Sequence, residues 1–208
     1  VTLADFNNYS LRENQEVVST YRDYTVVSSG PPHGGATLLA ILNILEGYNL
    51  GGMEHNSPEY IYLVSMAMKA AFADRNPFMA DPNLEDVPTD WMITKERAQH
   101  WRDVIDSGGE INVDFTATEA PSTTHVSVVD AAGNCVALTH SLGASSGVIS
   151  PGMGFMYNNS MINFHPLPGH PNSIQPGKGR TTGMCPTIVY KGDPNAGGKP
   201  VLVLGSPG

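Results

Sequence analysis

The chain has 208 residues, a formal charge of −9 and 40% hydrophobic residues, enough for one good core in one or two domains. Twenty acidic residues against eleven basic ones weigh against a nucleic-acid or anionic-membrane partner, which needs clustered Lys and Arg. No apolar run approaches the roughly 20 residues of a membrane span, and no Cys/His cluster has metal-ligand spacing.

The chain opens on Val1 without a charged-then-apolar leader and reads as a piece of a longer precursor. Residues 16–21 and 24–29 are β-rich and flank Arg22-Asp23, a predicted hairpin. Residues 31–35 break that pattern before a helix with Leu38, Leu39, Ile41, Leu42 and Leu45 on a wide apolar face, ending at Gly47. Ser57, with Pro58 at the first position, caps a second helix. This helix is expected to reach about Arg75, with Ile61, Val64, Met68 and Phe72 on one stripe and the methionines as core filler. Residues 76–90 read as loop, Thr94 caps a third helix over 95–105, and residues 110–122 lack any period.

From Thr123 the character changes to strands. Residues 124–130 alternate, with Val126 and Val128 on one face; 131–134 form a tight turn and 135–142 the return strand. Gly- and Ser-rich sequence follows over 143–154, then a short strand over 155–157. Residues 165–180 hold four prolines and three glycines, the pattern of a long ordered loop or lid. Two further strands are predicted at 187–191 and 201–204. Helices first and strands later give an α+β class. Cys135 and Cys185 read as buried free thiols; a disulfide requires α-carbons within about 7 Å.

Thr123 heads the first of these strands. A cut between Ser122 and Thr123 gives this residue a hydroxyl and a free α-amine on one frame. The amine titrates near pH ~8 and can take the hydroxyl proton, so nucleophile and base arrive together. Uncut, the same hydroxyl is a hydrogen-bonding group on a strand. Thr139 and Ser141 lie two apart on the return strand, hence on one face directed at that head, although alternating hydroxyls also describe a plain strand surface.

The run TTHVSVVDAAGNCVALTHSLG, followed by GFMYNNSMINF, GRTTGMCPTIV and GSPG, resembles the small-subunit core of the γ-glutamyltransferase family. Upstream, VTLADFNNY, SSGPPHGGATLLAILNILEGYNL and AFADRNPFMADP resemble the second half of that family's large subunit, in the same order. The resemblance implies a partial four-layer αββα sandwich of the N-terminal-nucleophile hydrolase type. Residues 1–122 would end the large subunit, with a processing tail over about 110–122, and residues 123–208 would begin the small one, both from one precursor. It further implies self-cleavage between Ser122 and Thr123, with Thr123 then attacking a small-molecule γ-glutamyl amide such as glutathione. The acyl group passes to water or an amine, without cofactor or metal. Thr139 and Ser141 would orient the nucleophile, and Gly208 would supply one oxyanion donor, its partner glycine lying past the last residue given.

Substrate recognition departs from the family's pattern. Where the family reads NNQMDDF, this chain has NNSMINF, so Ser160 replaces a glutamine and Asn163 an aspartate that would face the donor's ammonium. The hydroxyl pair for the donor carboxylate becomes Thr182-Gly183. The family's carboxylate-clamping arginine lies upstream of this chain; Arg180 is a substitute for it or a loop anchor. The stretch around Ser145-Ser146-Gly147 is also shorter than in the family. These changes point to donors without a free amine: a poly-γ-glutamate segment or a dicarboxylic-acyl amide of the cephalosporin-acylase kind. An uncleaved, non-catalytic relative is the competing class.

Overall fold

The computed structural model describes residues 2–114 and 123–207; Ser122 and Gly208 lie outside them, as does the tail over 115–122. A short helix α1 (Leu3–Asn7) is closed by reciprocal bonds between Thr2 and Asp5. Strands β1 (Val17–Tyr21) and β2 (Tyr24–Ser28) form the expected hairpin, with Arg22 in the left-handed region (φ 53) at its turn.

Helices α2 (Gly35–Leu45), α3 (Pro58–Phe78), α4 (Thr89–Met92) and α5 (Lys95–Asp106) follow. Ser57 and Thr94 cap α3 and α5 by accepting from the amides of Tyr60 and Arg97. Two expectations about α3 are corrected. The helix runs past Arg75 to Phe78: Pro77 falls in its last turn, and the Met79 amide still reaches the Arg75 carbonyl (2.8 Å). Its buried stripe is Leu63, Ala67, Ala70, Ala71 and Asp74, whereas Ile61 and Met68 are about half exposed (51% and 46%). The small alanines let α2 and α5 approach closely, and Ile44, Leu45, Ala98 and Ile105 fill the contact. The methionines that act as core filler are Met79 and Met92. The short helix α4 occupies the end of what was expected to be loop.

After residue 122, strands β3 (Thr123–Val129) and β4 (Cys135–Ser141) pair antiparallel around a turn in which Asp130 accepts from the amides of Ala132 and Asn134. The supposed Gly/Ser connection holds a strand, β5 (Ser145–Ile149), paired irregularly with β6 (Met156–Asn158). Strands β7 (Thr187–Lys191) and β8 (Lys199–Leu204) complete a four-stranded antiparallel sheet of order β1-β2-β7-β8. Cys135 and Cys185 are free thiols and only half-buried, which corrects their expected burial.

The layering follows from strand alternation. Val17 and Val26 face the helices and form a second apolar cluster with Ala36, Leu39, Met79 and Met92. The opposite face, carrying Val203, meets the β3–β4 hairpin, which is joined to it by a bond from Ser127 Oγ to the Val203 carbonyl (3.1 Å). Among the described residues this gives helix, sheet and hairpin layers, three of the four in an αββα sandwich. The hairpin's outer residues Val126, Val128, Val136 and Leu138 are each about half exposed. The architecture is α+β.

Candidate active site

The hairpin register sets the site. Thr123 lies opposite Ser141 and His125 opposite Thr139, so all four side chains share the face turned towards the large sheet. The Thr123 hydroxyl donates to Ser141 Oγ at 2.9 Å, and the Gly143 amide donates to the same oxygen at 3.0 Å. Thr139 does not bond Thr123 directly; its Oγ1 lies 2.8 Å from His125 Nδ1. His125 Nε2 is 3.0 Å from Ser127 Oγ. A polar strip therefore runs down the hairpin from the strand head to Val203.

Gly143 links the end of the β3–β4 hairpin to Ser160. Its φ of +67 is a glycine conformation, and a β-carbon there would press on Ser160 Oγ. Ser160 is buried, held by its amide on Asn158 Oδ1 (3.0 Å), and accepts from Arg180 Nη2 at 3.3 Å. Thr123, Ser141, Ser160 and Arg180 are thus brought into one continuous set.

Asn163 sits apart and buried, and its backbone carbonyl accepts from Asn172 Nδ2 (2.8 Å). Asn172 also donates to Thr181 Oγ1 (2.9 Å) and so ties Asn163 to the segment after Arg180. The buried Thr182 hydroxyl accepts from the Met184 amide (3.2 Å), and the Thr182 amide donates to the Pro32 carbonyl (3.1 Å). The exposed Gly183 presses its carbonyl against Gly34. Residues 31–35 hence form the wall behind Thr182 and Gly183. Burial pushes the His33 imidazole below its usual range, and the nearby Arg180 charge adds to this against a bond to the Gly30 carbonyl.

The 165–180 loop is firmly anchored. Asp81, fully buried, accepts from the Gly179 amide (2.6 Å), from Asn83 and from Arg12. Burial alone would raise the Asp81 carboxyl, yet these donors hold it below the usual carboxylate range. Lys178 binds Glu85 Oε1 and the Pro171 carbonyl, both at 2.7 Å, and the His165 and His170 rings stack 3.9 Å apart. Sequence reasoning missed His125, Asp81, His33 and Asn172. Only His125 had a legible signal: it follows Thr123 by two and so shares its face.

Among the described residues, no group of three or more His, Cys, Asp or Glu side chains is placed to hold a metal ion. No helix among them is long and apolar enough to cross a membrane.

The family described as gamma-glutamyltranspeptidase matches residues 1–208, the whole chain. The chain belongs to the γ-glutamyltranspeptidase family. It is 36% identical over 99% of its length to the "Acylase ACY 1 proenzyme" of Pseudomonas sp. (strain V22) and covers 37% of that protein. It is 34% identical over its whole length to the "Glutathione hydrolase proenzyme" of Escherichia coli (strain K12), covering 38% of it. The crystal structure of cephalosporin acylase from Bacillus halodurans superposes with a TM-score of 0.77 at 25% identity, over 98% of this chain and 36% of that one. The chain thus spans little more than a third of the family members it matches.

Proposed function

We propose that the full-length protein is a self-processing threonine hydrolase or acyltransferase of the γ-glutamyltranspeptidase family, cut between Ser122 and Thr123. The observation that carries this reading is the Thr123 hydroxyl, held at the head of β3 by a 2.9 Å bond to Ser141 Oγ. In the precursor, Thr123 Oγ1 attacks the Ser122 carbonyl and the resulting ester is hydrolysed, leaving residues 1–122 and 123 onward as two subunits of one precursor. The freed α-amine then takes the Oγ1 proton as the hydroxyl attacks the donor amide. That proton passes to the leaving amine, and water or an acceptor amine resolves the acyl-threonine ester. Thr139 and Ser141 orient the nucleophile, and Gly208 lends one amide to the oxyanion, an interaction of about 3–4 kcal/mol in such sites.

The donor we favour is an acyl amide without a free α-amine, a dicarboxylic-acyl or poly-γ-glutamyl compound rather than glutathione itself. Ser160 and Asn163 give no negative charge to face an ammonium, while Arg180, which donates to Ser160 Oγ, brings a cation that suits an anionic end; Thr182 and Gly183 would complete that end. The acylase relative at 36% identity supports this choice and the glutathione hydrolase relative supports the parent activity.

Denaturing electrophoresis of the full-length protein tests the central claim. Two bands for wild type and one for Thr123→Ala are expected. A single intact band for both leaves the uncleaved, non-catalytic relative as the correct reading.

A further inference from the structure

We propose that His125 is a positioning residue that fixes the direction of the Thr139 hydroxyl and thereby keeps the α-amine of Thr123 available as a base. The inference rests on the reading of Thr123 as the nucleophile. It follows from following each proton along the polar strip. The Val203 carbonyl can only accept, so the Ser127 hydroxyl, 3.1 Å away, spends its proton there. Ser127 Oγ can then only accept from His125 Nε2 at 3.0 Å, which places the ring proton on Nε2. When the ring carries only that proton, Nδ1 is bare and the Thr139 hydroxyl donates to it across 2.8 Å.

The consequence lies on the other side of Thr139. With its proton turned into the imidazole, the Thr139 oxygen offers only lone pairs to the strand head, where Thr123 is its diagonal neighbour across the ladder. It can accept an N–H of the Thr123 amine but cannot donate to the nitrogen lone pair. That lone pair stays aimed at Oγ1, whose proton it must receive. A Thr139 hydroxyl turned the other way would cap the lone pair and disable the base.

A second contact locks the ring. Gly205 lies directly against the His125 imidazole, so close that a β-carbon there would overlap Cε1 and Nδ1. Gly205 opens the segment that follows β8, so a single side chain braces the hydroxyl strip and the start of that segment.

The proposal separates two reactions that share one hydroxyl. During self-cleavage Thr123 nitrogen is still in a peptide bond and has no lone pair to protect; during turnover it does. In the full-length protein, His125→Ala should therefore lower kcat by roughly 10²-fold, as expected for a misplaced reacting group. KM should change less than about twofold, and precursor cleavage should slow far less than turnover. His125→Asn, whose Oδ1 can stand in for Nδ1, should restore most of kcat; His125→Gln, longer but without an acceptor at that point, should not. Gly205→Ala should lower kcat in wild type and be harmless on the His125→Ala background, where the space is vacant.

Equal slowing of cleavage and turnover, better rescue by Gln than by Asn, or an additive Gly205→Ala effect would each overturn the proposal. Should His125→Ala fail to fold by circular dichroism, the Asn and Gln pair decides alone. Thr123→Ala is the control: if it is still cleaved, the nucleophile reading itself has failed. If it is not cleaved and the His125 variants keep wild-type kcat, only the role of His125 has failed.

Discussion

The Gly179 amide donates to the Asp81 carboxylate at 2.6 Å, joining residues 98 positions apart and fixing the backbone next to Arg180. Asp81→Asn presents an amide N–H or a neutral oxygen where a carboxylate collected several donors. We expect a loss of about 2 kcal/mol of stability, the scale of hydrogen bonds to a charged group, read from chemical denaturation. Because Arg180 follows Gly179, KM for an anionic donor should rise more than kcat falls; an unchanged KM would detach Asp81 from the pocket.

Asp74 is buried in α3 and accepts from Arg97 Nε (2.9 Å), Arg97 Nη2 (2.6 Å) and Trp101 Nε1 (2.7 Å). The guanidinium also lies 4.6 and 4.7 Å from the centres of the Trp91 and Trp101 rings. Asp74→Ala strands a largely buried cation and should cost about 3–5 kcal/mol. Arg97→Met added to it should recover part of that loss in a thermal melt, since the stranded charge is then gone.

Stability should fall on mild acidification. Burial lowers the His33 and His170 rings below their usual range, with the Arg180 charge adding at His33 and the His165 charge at His170. A depressed imidazole binds fewer protons folded than unfolded. Its contribution is therefore complete above the ordinary value of about 6.5 and is lost as pH falls through the folded value. Melting midpoints measured from about pH 7.5 to 5.5 should decline, and His170→Gln should flatten part of that decline. Asp81 adds a loss of the same sign only in the carboxylate range, below about pH 4.

Ser160→Gln paired with Asn163→Asp should raise activity on glutathione relative to N-acylated donors by about fivefold or more. That is the difference of roughly 1 kcal/mol between a charged and a neutral partner for the ammonium. An unchanged ratio would locate donor recognition elsewhere. Ser160 touches Gly143, so the longer glutamine must turn into the pocket rather than replace serine in place.

Local signals carried much of this fold. The β1–β2 hairpin, α2, α5 and the β3–β4 turn follow from periodicity, caps and turn residues that act over a few positions. The buried face of α3 was not legible, because Ile61 and Met68 look like core while Ala67 and Ala70 are chosen for how closely α2 can approach. Strand β5 was hidden by serines and a glycine and is held by an irregular pairing with β6. At the candidate site, the hydroxyl residues were visible as alternating positions. The supports at Asp81 and Asn172 were not, since their partners lie far away in sequence or on loop backbone with no period.

The central pair of the large sheet, β2 and β7, carries a consequence for the proposed cut. Residues 24–28 lie opposite residues 187–191 in unbroken register, and β2 and β7 stand on opposite sides of the Ser122–Thr123 bond. Breaking that bond would divide the covalent chain while leaving a seam of hydrogen bonds stitched between the pieces. The new amino terminus would be released from its neighbour without either piece being released from the other. Maturation would then resemble loosening one knot in woven cloth, in which a single thread end comes free and the fabric keeps its shape.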